Sequence, residues 1–378
     1  MKTVAFCCGL FLLVVGMAGG VGAQPIKVGL ITPLTGDVKT FGESIKNGFE
    51  LAVSEVNAKG GIMGRKIETV ITDDKNDPTE ASNAAIKLIS QDRVKLIVGS
   101  VTSKCSIPVS DICQSQKAVM ITPSATNPKV TVADGKRKDF AFRACFIDPF
   151  QGSVMAKFAA RTLKKKTAAV LYDVGNDYTK GLAEFFRDSF KKEGGKITSF
   201  ESYGKDDVDF SALLTKIAAE KPEVLFLPDY YNKVGLIAKQ ARERGIKAIF
   251  LGGDGWDSPD LFKIAGAAVE GSFFSNHYSP EDPSAEVQSF IKKYRARFGA
   301  TPDALATLGY DATKILLNGI EKAKSDDPEK VKRALAQIKN LQVVSGKISY
   351  DKDGNPIKSA AVIGIVNGQQ KYKTTVNP

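Results

Sequence analysis

The stretch that decides the fold is Ile26–Pro78, IKVGLITPLTGDVKTFGESIKNGFELAVSEVNAKGGIMGRKIETVITDDKNDP. IKVGLIT is a short apolar run, read as a buried strand. The helix after it carries Ile45, Phe49, Ala52, Val53 and Val56 on one face of a 3.6-residue period. Glycines in NAKGGIMGRKI stop that helix, and IETVITDD begins a second strand. Strand, helix and strand in this order imply a parallel pair joined by a right-handed crossover.

The same rhythm runs outward in both directions. A helix through TEASNAAIKLIS, the strand VKLIVGS, a helix over Ser103–Gln116 and the strand AVMITP complete a first set. After Cys145 a second set starts: strand TAAVLYD, helix TKGLAEFFRDSFKKEGG, strand KITSFESY, helix FSALLTKIAAEKP, then strands EVLFLPD and AIFLGGDG. ITDDKNDP in the first set is echoed by YGKDDVDF in the second, without a fixed sequence period. Asp282-Pro283 and Asp327-Pro328 each predict a helix start, with aspartate as cap and proline in the first turn. The expected fold class is therefore α/β, with two doubly wound parallel-sheet lobes.

Lys2, the apolar run Val4–Val15 and the small residues before Gln24 have the layout of a cleavable secretory signal over residues 1–23, cut after Ala23. Removing 23 of the 378 residues leaves about 355, too many for one ordinary core and suited to two. The formal charge of +11 is spread over scattered lysines, including Lys164–Lys166, rather than striped with aromatics, so a nucleic-acid partner is not expected. Three cysteines remain after cleavage. Cys105 and Cys113 share one helix about 12 Å apart at 1.5 Å per residue, too far to bridge. If an exported chain oxidises one pair, Cys105 with Cys145 is the candidate.

MITPSATNP, Met120–Pro128, is an apolar strand that ends in small hydroxyl-bearing residues. Open α/β sheets bind ligands at the carboxyl ends of their strands, which makes this a candidate mouth rather than a plain turn. Enzyme chemistry finds little support: His277 is the single histidine, no serine or cysteine sits in a nucleophile elbow, and no GxGxxG follows the first strand. His277, in FFSNHYSP, reads as a hinge or surface residue. DKDGNP (Asp351–Pro356) begins like a calcium loop but lacks the later acidic ligands, so it reads as a β-turn and no metal is expected.

The Ile26–Pro78 stretch resembles the first lobe of the leucine/isoleucine/valine-binding proteins, periplasmic solute receptors of ABC importers. GSVTSKCSIPVSDICQSQKAVMITPSATNP, FRACFIDPFQG, FLGGDGW and GYDATKILLNGIEKA continue the match in order and spacing over almost all of the mature chain. The resemblance implies the type I periplasmic-binding-protein fold, with lobes 24–145 plus 277–350 and 146–276 plus 351–378. Three crossings are expected near Cys145, His277 and Tyr350, and AAVIGIVNGQQ should pair with the second lobe.

The resemblance further implies an amino-acid cleft. Ser103, Ser124 and Thr126 match the positions that bind the ligand carboxylate, where a helix start favours an anion. Asp254 in FLGGDGW and Tyr230 in LPDYYNK match the ammonium side, and Tyr178 in GNDYTKG matches the opposite rim. Phe41, Val101, Thr102 and Leu305 match the side-chain pocket. Trp256 either lines a larger pocket or packs within its own lobe. The cleft disulfide of enteric members is missing, with Asn76 and Thr102 at those positions. Lys104 at a helix start is unfavourable unless it faces solvent or an anion. The expected function is capture of a branched-chain amino acid and its delivery, by a monomer without cofactors, to ABC permease subunits. The alternative is a same-fold receptor or sensor for an amide or an aromatic acid, which would have little use for Asp254.

Overall fold

The computed structural model describes residues 24–378, so the expected signal segment 1–23 lies outside the described residues. The strand Ile26–Thr32 pairs in parallel with Ile67–Asp73 on one side and Leu96–Val98 on the other. Val119–Thr122 and Ala141–Arg143 extend the same sheet, again in parallel, to five strands. A second sheet of seven strands has Thr167–Asp173 between Lys196–Tyr203 and Val224–Leu227, followed by Ile249–Gly252 and Phe273–Asn276, all parallel. Ala360–Val366 joins its far side antiparallel to Phe273–Asn276, and Gln369–Val376 turns back beside it. Asn367 and Gly368 both take positive φ at that turn, as a two-residue hairpin between right-twisted strands requires.

The strands at the middle of each sheet are covered on both faces, which is why IKVGLIT and VLFL read as near-continuous apolar runs. The chain leaves the first sheet after Arg143 and returns after Asn276 through the helices Ala285–Phe298, Ala304–Ala323 and Pro328–Ala336. It leaves again between Ile348 and Ala360. Asp327 caps its helix by accepting from the Lys330 amide at 3.0 Å, with Pro328 as the first helical residue. The other expected start is displaced. Asp282 accepts from the Ser284 amide at 2.8 Å, which closes a turn around Pro283, and the helix begins only at Ala285. Four α-helices have no counterpart in the sequence reading, Asp148–Lys157, Tyr231–Glu243, Asp260–Ala265 and Ala304–Ala323.

The helices Lys39–Ala58 and Ala304–Ala323 meet at backbone contact. A Cβ on Gly48 would lie 2.1 Å from the Ala306 carbonyl oxygen, and one on Gly309 would lie 2.5 Å from that of Ile45. No rotamer change relieves a clash with backbone. Helix propensity alone favours alanine over glycine by about 1 kcal/mol, whereas overpacking costs about 1–3 kcal/mol or more. Gly48→Ala should therefore lower stability by roughly 2 kcal/mol in urea titration; a stabilised variant would show that the helices can separate freely.

Candidate functional site

The carboxyl ends of the two sheets face one another across a gap. On the first side the helix Ser103–Gln116 starts five residues after the strand Leu96–Val98 ends. No side chain caps it, because the Thr102 hydroxyl donates to Asn76 Oδ1 at 2.8 Å instead. The first amides of the helix are thus left for another acceptor, with the positive end of the helix dipole behind them. Ser103 Oγ accepts from the Asn127 amide at 3.2 Å, and Ser124 Oγ donates to the Val101 carbonyl at 2.9 Å. Lys104 lies within the fields of Asp74 and Asp77, so the cation at this helix start faces anions.

The loop after Thr122 is held from below by Arg143, a residue the sequence reading did not single out. Its guanidinium is fully buried and donates to the carbonyls of Ala125 (2.7 Å) and Asn127 (3.0 Å) and to Thr131 Oγ1 (3.2 Å). Thr126 sits between those two carbonyls with its hydroxyl buried and unpartnered.

On the second side, Asp254 follows the strand Ile249–Gly252 and starts a single 3-10 turn. Its amide donates to Gln151 Oε1 at 2.8 Å, and Gln151 Oε1 also accepts from Ser275. Its carboxylate accepts from the Tyr178 hydroxyl (2.9 Å) and lies 2.9 Å from His277 Nε2. Gly253 is required here by close approach, since a Cβ would come within 2.5 Å of the Tyr178 hydroxyl. Tyr178 stacks on Tyr230 with ring centres 5.2 Å apart, and Phe41 reaches across the gap to meet Tyr230 edge-on at 5.8 Å. The Tyr230 hydroxyl is buried without a partner.

Nine of the expected residues line one small cavity: Phe41, Val101, Thr102, Ser103, Ser124, Tyr178, Tyr230, Asp254 and Leu305. Gly255 joins them, while Thr126 lies behind the lip. Tyr178 is not on a rim; it is 3% exposed on the cavity floor, drawn in by its bond to Asp254. His277 is likewise no surface residue, at 4% exposure. Trp256 packs within its own half, with Nε1 donating to the Leu227 carbonyl at 2.9 Å. The expected pairing of Cys105 with Cys145 does not form: both are buried free thiols, as is Cys113. Their sulfurs point to different partners, Cys105 toward Asn76 Oδ1 at 3.9 Å and Cys145 toward the Ala125 carbonyl at 3.3 Å. Asp351 Oδ1 accepts from the amides of Asp353 and Asn355 and makes DKDGNP a tight turn.

The arrangement sets an uncapped helix start, a buried carboxylate and an apolar wall around one small space. The periplasmic binding protein family matches residues 25–370. The chain belongs to it, in the Leu/Ile/Val-binding branch. Leu/Ile/Val-binding protein homolog 2 of Brucella abortus is 36% identical over 365 residues, 96% of this chain and 96% of that protein. The leucine binding protein LivK of Thermotoga maritima is 38% identical with a TM-score of 0.89, spanning 93% of this chain and 99% of that one. LivJ of Streptococcus pneumoniae, a branched-chain amino acid transporter substrate binding protein solved in complex with isoleucine, is 32% identical with a TM-score of 0.87, spanning 94% and 100%. The fold is accordingly the type I periplasmic-binding-protein fold expected from the sequence.

In this periplasmic binding protein Asp148 lies beneath the site, fully buried, with Oδ2 unpartnered. Burial pushes its pKa up to about 8. An acid whose folded pKa is raised stabilises the fold fully below its unfolded value, near 4, and loses that contribution as pH rises to about 8. Asp148→Asn, which cannot ionise, should gain about 2 kcal/mol or more on the wild type between pH 5 and pH 8. Urea midpoints measured across that range check it, and parallel curves would contradict it.

Proposed function

We propose that the chain is an extracytoplasmic substrate-binding protein of an ABC importer that captures a branched-chain amino acid between its lobes and delivers it to a membrane permease. The observation that carries this reading is the cavity itself, whose walls separate the three chemistries of a small apolar zwitterion. Ser103 and Ser124, with the free helix start, receive the carboxylate, and Thr126 lies one layer behind them. Asp254, with Tyr230, receives the ammonium, and an ion pair gains strength in a desolvated site. Tyr178 holds Asp254 from below. Phe41, Val101, Thr102 and Leu305 surround the side chain. The names of LivK and LivJ, and the isoleucine bound to LivJ, support the same class of ligand. An amide or an aromatic acid would leave the Asp254 carboxylate without a cationic partner and is not favoured.

In this reading the lobes are 24–145 with 277–350 and 146–276 with 351–378, and the three crossings are the hinge about which closure buries the ligand. The contacts that already span the gap, such as Thr40 with Ser258 at 3.1 Å and Asn127 with the Asp177 carbonyl at 2.8 Å, belong to the closed form. The chain is exported by a leader cleaved after Ala23, works as a monomer and carries out no covalent chemistry.

A thermal-shift screen of refolded mature protein tests the assignment. Isoleucine, leucine or valine at a hundred times its dissociation constant should add about 2.7 kcal/mol of stability. Asp254→Asn leaves the ligand ammonium without its charge partner, a loss of about 2–5 kcal/mol, so affinity should fall by at least about 30-fold. A shift with benzoate and none with amino acids would overturn the substrate class and leave the fold intact.

A further inference from the structure

The Asp254 carboxylate is held by a residue that nothing in the binding scheme above uses. His277 is the first residue after the strand Phe273–Asn276, where the chain leaves the second sheet. Its Nε2 lies 2.9 Å from Asp254 Oδ2, and its amide donates to Asn276 Oδ1 at 2.8 Å. Its ring stacks on Phe146, with centres 3.8 Å apart and planes 26° from parallel. Phe146 lies between the strand Ala141–Arg143 and the helix Asp148–Lys157, on another of the three crossings. One side chain therefore touches the ammonium-site carboxylate and joins two crossing segments.

We propose that His277 is the positioning residue of the ammonium site, and that a ligand ammonium and a proton on the imidazole compete for the one Asp254 carboxylate, so that amino-acid capture is proton-linked. The proposal rests on the amino-acid reading of the cavity. Three observations support it. Tyr178 donates to Oδ1 and His277 sits at Oδ2, so a ligand ammonium and a protonated imidazole would share the single negative charge of one carboxylate. His277 Nδ1 is buried and unpartnered, which suits a neutral ring with its proton on Nε2; a second proton would place an N–H where no acceptor waits. The surrounding charges oppose each other. Asp254 and Asp257 favour the imidazolium and Lys358 disfavours it, while the nearby Asp148 holds its proton over most of this range. Burial pushes the imidazole below its ordinary pKa, and the bond to Asp254 draws it part of the way back.

The sign follows. An ammonium on Asp254 removes the anion that favours the imidazolium, so bound ligand lowers the His277 pKa further. By reciprocity, affinity falls as pH drops through the pKa of the free protein, by at most about tenfold per pH unit for one proton.

The chain has a single histidine, so one imidazole resonance in the untagged mature protein reports the site. Its NMR titration should move to lower pH when isoleucine is added and, without ligand, in Asp254→Asn. Calorimetry should show isoleucine binding weakening from pH 8 to pH 5 in the wild type. His277→Gln, whose amide can still donate to Asp254, should bind several-fold more weakly at pH 8 and show no such slope. An imidazole titration unmoved by bound isoleucine would overturn the proposal, and this measurement needs no variant to fold. An unchanged pH slope in His277→Gln would overturn it equally. Isoleucine failing to bind at every pH, while Asp254→Asn still moves the resonance, would overturn the amino-acid reading and the competition with it, and leave the contact between His277 and Asp254 standing.

Discussion

A carboxylate taken out of water is unfavourable by several kcal/mol unless hydrogen bonds and charge replace its hydration. Asp254 is in that position, 8% exposed at the end of a central strand. Much of the second half of the molecule is arranged around it. The Tyr178 hydroxyl and the His277 imidazole reach its two oxygens from separate elements, and Gln151 fixes its backbone amide from a third. Gly253 leaves room for the tyrosine to come close, and the stack of Tyr178 on Tyr230 sets the floor. Removing any one of these groups would leave a buried polar atom without its partner, which accounts for their mutual dependence.

The facing wall solves the complementary problem. There the buried charge is a cation, Arg143, with two backbone carbonyls and a threonine hydroxyl as acceptors. It fixes the carbonyls of the Ser124–Asn127 loop on its own side. The field it adds to that of the helix start favours a negative group on the lip. The two halves of the cavity thus differ in sign because of residues that mostly lie one layer behind the surface a ligand would touch.

Much of the architecture could be read from local sequence. Ile26–Thr32, Thr167–Asp173, Lys196–Tyr203 and the helix Ser103–Gln116 have the bounds their apolar patterns suggest, since burial on both faces leaves continuous runs and glycines mark the stops. The lining residues were legible through family motifs rather than through periodicity. What escaped was the supporting layer. Arg143, Asp148 and Gln151 come from a crossing and a helix that no strong pattern marks, and they act on residues far along the chain. His277 was visible as a singleton, but nothing local shows that its ring turns inward. The start at Asp282-Pro283 was misplaced because an Asx turn and a capped helix share the same two residues; only the next hydrogen bond separates them.

The three described thiols carry one more consequence. Cys105, Cys113 and Cys145 are buried, unbonded and each pushed up to about 12 by loss of water, so almost none of any of them is thiolate at neutral pH. The described fold is complete without a covalent cross-link. Folding into this arrangement consumes no oxidant at these three thiols.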